Sequence, residues 1–284
     1  MKDERYYQRM EGDLLVAISK TPISPTKDFH MHDNYEIFLF LGGQVNVFVD
    51  RNSYPLRRGS LLIFNNQEIH KIINLSTDPY ERLIVHFKPD LVYPFCTADT
   101  NLLGCFQNRK PGRFNMIELN EEQIRAFMEI GTRMIGTVQQ PTFGSDSLAL
   151  TYLIQMLVMV GTLHQRARPA TPSLISPLIQ QTMDYIDHHL HTPLSLDEIA
   201  NELSVDKYYL SHLFKEQTGG SLYRYVLLKK TNLAKQLLIS GTSVSEACYL
   251  TGFNDYANFI RTFKNITGTS PGKYGKHAKS GSIG

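Results

Sequence analysis

The chain has 284 residues, with 29 Lys and Arg against 27 Asp and Glu, and an apolar share of 42%. This length accommodates two domains that each bury a core, and the composition is ordinary for a soluble protein. Three cysteines without a CxxC pair do not form a disulfide framework and favour a reducing cytoplasm, with a redox pair of Cys96 and Cys105 as the alternative. The charged N-terminal residues MKDERYYQRMEGD predict no signal peptide.

Residues 12–90 contain short apolar or alternating runs that are separated by turn signals. Glu36–Leu41 is apolar, Gly42 and Gly43 mark a hairpin, and Val45–Val49 alternates between apolar and polar side chains. Many short strands at intervals of about 8–12 residues are typical of a sandwich or a barrel. We therefore predict an N-terminal β-sandwich or β-barrel.

Polar side chains that could bind a ligand lie within these strands. His30 and His32 fall on one face of a strand, and Glu36 and His70 add a carboxylate and a third imidazole. This His-x-His-x3-Glu spacing with a distant His resembles the metal-binding motif of cupins. Two outcomes stay open: the four side chains hold Fe, Mn, Ni or Zn, or they line a metal-free pocket. Further pocket candidates on the last strand are Arg82 and His86.

Two helices are predicted after the strands and an irregular stretch. The first runs from Leu119 to about Gln139, with Asn120 as its N-cap and Gln123 three residues on. The second, residues 145–166, is apolar almost all round and needs partners on several sides. Burial within one chain and packing against a second subunit are both open. The apolar run Leu148–Leu163 is shorter than a membrane span, so we expect no membrane. A Pro-rich joint follows.

Two segments near the C-terminus repeat each other at an offset of 49 residues. LSHLFKEQTGGSLYRY at 210–225 and FIRTFKNITGTSPGKY at 259–274 share six of sixteen positions. Each predicts a helix that ends at a glycine and follows a short helix and a tight turn, which is the helix-turn-helix plan. The alternative is an αα-hairpin whose polar face meets water. Leu222 to about Ile239 predicts a connecting helix about 27 Å long, which could hold two recognition helices about one DNA turn apart.

Basic charge is concentrated in this repeated region. From Lys207 to Gly284 there are eleven Lys and Arg and three Asp and Glu, a balance of +8, whereas the preceding residues sum to −6. Such a distribution is expected where phosphate contacts supply affinity for nucleic acid. The charge therefore favours the helix-turn-helix interpretation over the plain hairpin.

About 100 residues here resemble the DNA-binding domain of AraC-type transcription regulators. The resemblance rests on Leu210–Gly219, Ala234–Leu238, Gly252–Phe253, and the series Phe259, Phe263, Lys264, Gly268, Pro271 and Tyr274. Ala247-Cys248 and Lys230-Thr231 depart from the usual Ile-Ala and Arg-Ile. The resemblance implies an N-terminal cupin that senses an effector and a homodimer formed through the helices after it.

The predicted fold is an α+β multidomain chain. A cupin-like β-barrel followed by helices occupies residues 1–166, and a linker occupies 167–175. An all-α DNA-binding domain with two helix-turn-helix motifs spans 176–276, and residues 277–284 form a disordered tail.

Candidate base-reading side chains lie on the exposed faces of the repeated helices. Arg261 could pair bidentately with a guanine, Asn258 with an adenine, and Ala257 could contact a thymine methyl. Lysines on and near these helices are interpreted as phosphate contacts or solvated charges: Lys207, Lys215, Lys230 and Lys264. The full predicted DNA-binding set is Tyr208, Ser211, His212, Lys215, Ala257, Asn258, Arg261 and Lys264.

These observations predict a cytoplasmic, ligand-responsive transcription regulator that is not an enzyme and carries no cofactor. A small polar effector, such as a sugar or a related metabolite, is expected to bind near His30, His32, Glu36, His70, Arg82 and His86 and to alter binding of double-stranded DNA. The alternative is a metal-dependent cupin isomerase or dioxygenase with a helical appendage, which leaves the duplicated basic helices unexplained.

Overall fold

The computed structural model of the chain describes residues 13–21, 28–110, 112–167 and 175–280. Its strands are β1 (Leu14–Thr21), β2 (Tyr35–Gly42), β3 (Val45–Val49), β4 (Asn52–Pro55), β5 (Ser60–Phe64), β6 (His70–Asn74), β7 (Tyr80–Phe87) and β8 (Met116–Glu118). Its helices are α1 (Gly104–Gln107), α2 (Glu121–Gln139), α3 (Ser145–Arg166), α4 (Pro177–His188), α5 (Leu196–Glu202), α6 (Lys207–Thr218), α7 (Leu222–Ile239), α8 (Val244–Leu250), α9 (Tyr256–Thr267) and α10 (Pro271–Ser280).

The strands form two antiparallel sheets around an apolar interior. One sheet has the order β1-β7-β2-β5-β8 and the other β4-β3-β6, to which a bridge between His30 and His70 adds a short edge. Alternate residues of β2 face opposite sides: Phe38 and Phe40 join the barrel interior, and Ile37 joins the core shared with the helices. The predicted N-terminal barrel is confirmed.

Helices α2 and α3 cover the outer face of the larger sheet. The predicted capping box of α2 is present, with Asn120 and Gln123 each bonded to the other's backbone. Helix α3 extends three residues beyond each end of the apolar run predicted to be too short for a membrane, and its 22 residues are long and apolar enough to cross one by length and composition. One side of α3 packs on the barrel through buried residues that include Leu153 and Leu157.

The C-terminal helices form two helix-turn-helix units, α5–α6 and α8–α9, joined by α7 with the predicted bounds. The side chain of Asp206 caps α6, that of Asp255 caps α9, and Gly219 and Gly268 end these helices in the left-handed conformation, as the repeat predicts. The capping box of α5 is present, whereas at α8 the structure shows only the bond from the Glu246 amide to the Ser243 hydroxyl.

The two ends of this domain are both helical. Helix α4 begins at Pro177, after its N-cap Ser176, because proline favours the first helical position, and it ends at His188. Helix α10 continues through Ser280, so the predicted disordered tail is wrong for 277–280; the segment after Pro271 holds Lys and Ala, which favour a helix, and no further proline. Residues 281–284 and most of the predicted linker lie outside the described ranges.

Candidate functional site

A buried cluster of three imidazoles surrounds one carboxylate at the end of the barrel. Glu36 on β2 lies directly opposite His86 on β7, so the strand register brings these two side chains together. The Oε2 atom of Glu36 is 2.9 Å from His32 Nε2 and 3.6 Å from His70 Nε2, and its Oε1 atom is 3.9 Å from His86 Nε2. Each of the four residues is at most 5% exposed, so the cluster is buried away from bulk solvent.

Backbone carbonyls orient two of these imidazoles. The Nδ1 atom of His32 is 2.7 Å from the carbonyl of Asn34, and that of His70 is 3.0 Å from the carbonyl of Glu68. Because a carbonyl only accepts, both Nδ1 atoms carry the proton and both Nε2 atoms face the carboxylate. Burial alone would raise the pKa of Glu36, but the facing imidazoles hold that pKa well below its usual range.

A second buried carboxylate fixes the loop that carries His70. Glu68 is fully buried and forms an ion pair with Arg109, whose side chain is also buried. Its oxygens further accept bonds from the amide of Asn65, at 3.0 Å, and from the side chain of Asn115, at 3.0 Å. Sequence reasoning missed this pair, since its partners lie 41 residues apart in the chain.

Four of the six predicted sensor residues meet in the cluster, His30 borders it, and Arg82 stands apart. The His30 ring packs on the His70 ring, with centroids 4.3 Å apart, and lies 6.3 Å from the His32 ring. Arg82 lies four residues from His86 on β7, about 13 Å along a strand, with its guanidinium 4.1 Å from the centre of the Tyr80 ring. Strand parity places Arg82 on the same face as His86 but not at the same depth.

The donor set of the cluster suits a metal ion. One ligand atom from each of His32, Glu36 and His86 lies within 4.8 Å of the other two. Two imidazoles and a carboxylate match the preferences of Zn, Fe and Ni rather than those of Mg or Ca. The residues therefore fit a transition metal. The group of three includes His86, which lies outside the His-x-His-x3-Glu spacing of the sequence, and it leaves out His30.

Residues 28–34, called the bridging segment below, link this cluster to the helical domain. Side chains alternate along it: His30 and His32 face the barrel, while Phe29 and Met31 enter the apolar core of the helical domain. Asp33 continues the second series, with its carboxylate 2.8 Å from the Lys235 Nζ atom. One stretch of backbone thus contacts the buried cluster on one side and α7 on the other.

An aromatic group forms the centre of the contact between the domains. The Phe29 ring lies 5.3 Å from the Phe48 ring of β3, 6.2 Å from the Phe214 ring of α6 and 5.7 Å from the Tyr225 ring of α7, measured between centroids. A Cβ atom at Gly220 would lie 2.2 Å from the Phe29 ring, so only glycine fits at this contact. The end of the first recognition helix therefore packs directly against the bridging segment.

Polar contacts surround the aromatic group. Arg51 forms ion pairs with Asp184 and Asp187 of α4, and the Lys71 ammonium donates to the carbonyl of Gly219. Asp50 is buried beside them, and burial raises the pKa of its carboxyl to about 7. Most of these residues carry no motif, so sequence reasoning did not single them out.

The predicted DNA-contacting residues lie on the outer faces of α6 and α9. Tyr208 is 74% exposed, and Arg261 is exposed with its guanidinium 3.1 Å from the Asn258 side-chain oxygen. The remaining members of the set are exposed or partly exposed: Ser211, His212, Lys215, Ala257 and Lys264. The opposite faces are buried through Phe214 and Phe263. The duplicated units thus present two polar surfaces and bury two apolar ones.

Two lysines predicted as phosphate contacts have other partners. The ammonium of Lys207 lies 2.7 Å from Asp197. Lys230 is buried and donates to the carbonyls of Thr192, at 2.6 Å, and Gly252, at 2.9 Å, and burial lowers its pKa to about 8. The prediction that Lys230 is a phosphate contact or a solvated charge is wrong, because α7 turns this side chain towards the junction of the two helix-turn-helix units.

Two known protein families match different parts of the chain. A sequence model of the AraC-like ligand binding domain matches residues 15–157, and one of a helix-turn-helix domain matches residues 199–277. The chain therefore belongs to the AraC family.

Individual relatives cover different parts of the chain. An uncharacterised HTH-type transcriptional regulator of Staphylococcus aureus is 22% identical over 93% of this chain, which spans about a third (34%) of that relative. The multiple antibiotic resistance protein MarA of Salmonella typhimurium is 33% identical over 34% of this chain and 76% of its own length. An apo ToxT variant from Vibrio cholerae aligns with 95% of this chain and 99% of its own, at 15% identity and a TM-score of 0.40.

Proposed function

We propose that the chain is a cytoplasmic DNA-binding transcription regulator whose affinity for its operator depends on a small polar effector in the barrel domain. The observation that carries the DNA-binding part is the pair of outward polar helices, α6 and α9, in a region with a balance of +8. Each helix presents side chains suited to base edges, and each is held by its own buried core.

The bridging segment supports control by the barrel domain. An occupant of the cluster that moves His32 also moves Met31 and Asp33, which touch the helical domain. Such an occupant shifts the equilibrium only by its differential affinity for the two arrangements. A sugar or related metabolite remains our proposal for the effector, with His30, His32, Glu36, His70, Arg82 and His86 as its site. Since the cluster is closed, a molecule of that size requires the barrel end to open.

Exposed apolar side chains on α2 and α3 support a homodimer. Val138 near the end of α2, and Leu148 and Val158 on α3, are each at least 44% exposed. We propose that a second copy covers these positions. We assign no catalytic activity to the chain, because an enzyme would leave the duplicated helix-turn-helix units without a role.

The test of this function is selection of bound sequences from a random pool of double-stranded DNA, followed by anisotropy titrations at several salt concentrations. We expect an enriched bipartite motif with two half-sites about one turn apart and an affinity that falls steeply with salt. Arg261→Ala should lose preference at one position of the motif, and the control Arg133→Ala, an exposed arginine of α2, should keep it. Absence of binding at low ionic strength would refute the proposal.

The effector is found by a thermal-shift screen of sugars and metabolites. A compound that binds only the folded chain raises the melting temperature. The same compound should then change operator affinity in the wild type. A stabilising compound that leaves operator affinity unchanged would contradict control by the barrel.

A further inference from the structure

We propose that Lys230 is a positioning residue for DNA recognition: its ammonium fixes the separation and the angle of the two helix-turn-helix units, and thereby the spacing of operator half-sites that the chain accepts. The consequence for operator spacing rests on the function proposed above, but the placement of the units does not. Three observations carry the inference: the bonds of the buried ammonium, the close approach of two turns, and the division of the apolar cores.

The Lys230 ammonium joins the two units directly. Its Nζ atom donates to the carbonyl of Thr192, at 2.6 Å, and to that of Gly252, at 2.9 Å. Thr192 lies in the loop that leads into α5 of the first unit, and Gly252 lies in the turn that leads into α9 of the second. Lys230 itself is only 4% exposed and belongs to the connecting helix α7. Because hydrogen bonds from a charged donor are short and directional, this contact sets where each turn lies.

The two turns approach each other too closely to admit a side chain. A Cβ atom at Gly252 would lie 2.2 Å from the carbonyl oxygen of Thr192 and 2.8 Å from the Lys230 Nζ atom, and the φ of Gly252 is +60°. Glycine is therefore required there by both space and conformation. Beside this contact, the Nδ1 atom of His191 is 2.8 Å from the carbonyl of Leu250. Helix α9 begins four residues after Gly252, so the junction places its N-terminal turn relative to the first unit.

Apolar packing holds the two units together but does not fix their angle. Phe214 belongs to the core of the first unit, whereas Phe259 and Phe263 belong to that of the second. Ile266 of α9 packs with the first core and draws the units together. Apolar contact is non-directional, so the bonds of Lys230 supply the direction that this packing lacks. Loss of the ammonium should therefore loosen the placement of the units and leave each of them folded.

The spacing of half-sites reports this placement in a DNA-binding experiment. One inserted base pair changes the separation of two half-sites by about 3.4 Å and their relative rotation by about 35°. A rigid pair of units accepts one spacing, whereas a loosened pair accepts several. When one base pair is inserted into or removed from the selected operator, the wild type should lose about tenfold or more in affinity and Lys230→Met about threefold or less.

The placement is also measured without DNA, as the distance between spin labels. Glu216→Cys and Asn265→Cys put labels at matching exposed positions of α6 and α9. The partly exposed Cys96 is replaced by serine, and the other two cysteines are buried. Pulsed electron double resonance should give one narrow distance distribution for the chain with Lys230 and a broader distribution for Lys230→Met.

Two further lysine variants separate the role of the donor from a general loss of charge. Lys230→Arg keeps a group that can donate to both carbonyls, so it should retain the narrow distribution and the spacing preference. Lys273→Met is the matched control, because it replaces an exposed lysine of α10, and it should leave both measurements unchanged. Circular dichroism checks the fold of each variant. If Lys230→Met does not fold, the exposed His191→Ala takes its place and should broaden the distribution to a smaller extent.

Two results overturn the inference. One is a narrow distribution in folded Lys230→Met, or in His191→Ala where the first variant does not fold. The other is a spacing preference that Lys230→Met keeps in full. If the wild type binds no DNA at low ionic strength, the proposed function fails, and the distance distributions alone decide whether Lys230 positions the two units.

Discussion

Truncation of Phe29 tests whether the bridging segment holds the two domains together. Phe29 is fully buried, and two of its three ring contacts reach α6 and α7 of the helical domain. Removal of a buried phenylalanine ring costs about 3–5 kcal/mol. Because the backbone bridge from His30 to His70 remains, we expect most of this cost to fall on the docked arrangement of the domains. A loss of about 3 kcal/mol shifts the docking equilibrium more than a hundredfold.

Hydrogen exchange followed by mass spectrometry reports this change without knowledge of the effector. In Phe29→Ala, amides of residues 214–225 and of β3 should exchange faster, while those of α9 and α2 stay protected. Phe143→Ala is the matched control, since this phenylalanine between α2 and α3 is fully exposed. Unchanged exchange at residues 214–225 would refute the docking role, and uniform acceleration across the barrel would show a loss of fold instead.

Three further predictions concern base recognition, pH and a buried ion pair. Arg261→Ala should relax discrimination at one base pair by about 1–3 kcal/mol, measured across a panel of single-base operator variants. The pKa of the Asp50 carboxyl is about 7 in the folded chain and 3.8 when the group is exposed. Between these values the folded state holds a proton that the unfolded state has released. Stability should therefore fall as pH rises from about 4 to 7, by up to about 4 kcal/mol, and Asp50→Asn should remove this slope in urea unfolding. Glu68→Gln strands the buried Arg109 and should cost about 3–5 kcal/mol, against less than about 1 kcal/mol for the exposed Glu129→Gln.

Each of these predictions has a result that contradicts it. If Arg261→Ala discriminates among the operator variants as the wild type does, Arg261 does not take part in base recognition. An Asp50→Asn chain whose stability varies with pH as the wild type does would assign the slope to other carboxyls. Equal losses in Glu68→Gln and Glu129→Gln would mean that burial does not decide the cost of breaking these pairs.

Local features of the fold were predictable because their causes lie within a few residues. The capping boxes of α2 and α5, the glycine ends of α6 and α9, and the bounds of α7 depend on neighbouring side chains and on the apolar period. The glycine ends of α6 and α9 were easier to predict because the same pattern occurs in both copies of the repeat. Helix α10 shows the limit, because no nearby proline marks where it ends.

The candidate site was only partly predictable because it depends on strand register. Parity placed Arg82 and His86 on one face, but only the pairing of β2 with β7 decides that His86, and not Arg82, meets Glu36. Contacts between the domains were not predictable at all. Arg51 and Lys71 look like ordinary surface charges until α4 and Gly219 pack beside them.

The contact of Gly220 with Phe29 makes the two copies of the repeat structurally different. At the matching position, 49 residues later, the second copy has Thr269, which is partly exposed. The first unit requires glycine at position 220, because the Phe29 ring packs against it, whereas the second unit has a side chain at the matching position. Exchange of the two units would therefore not yield an equivalent molecule, because only the first unit leaves room for the Phe29 ring of the bridging segment.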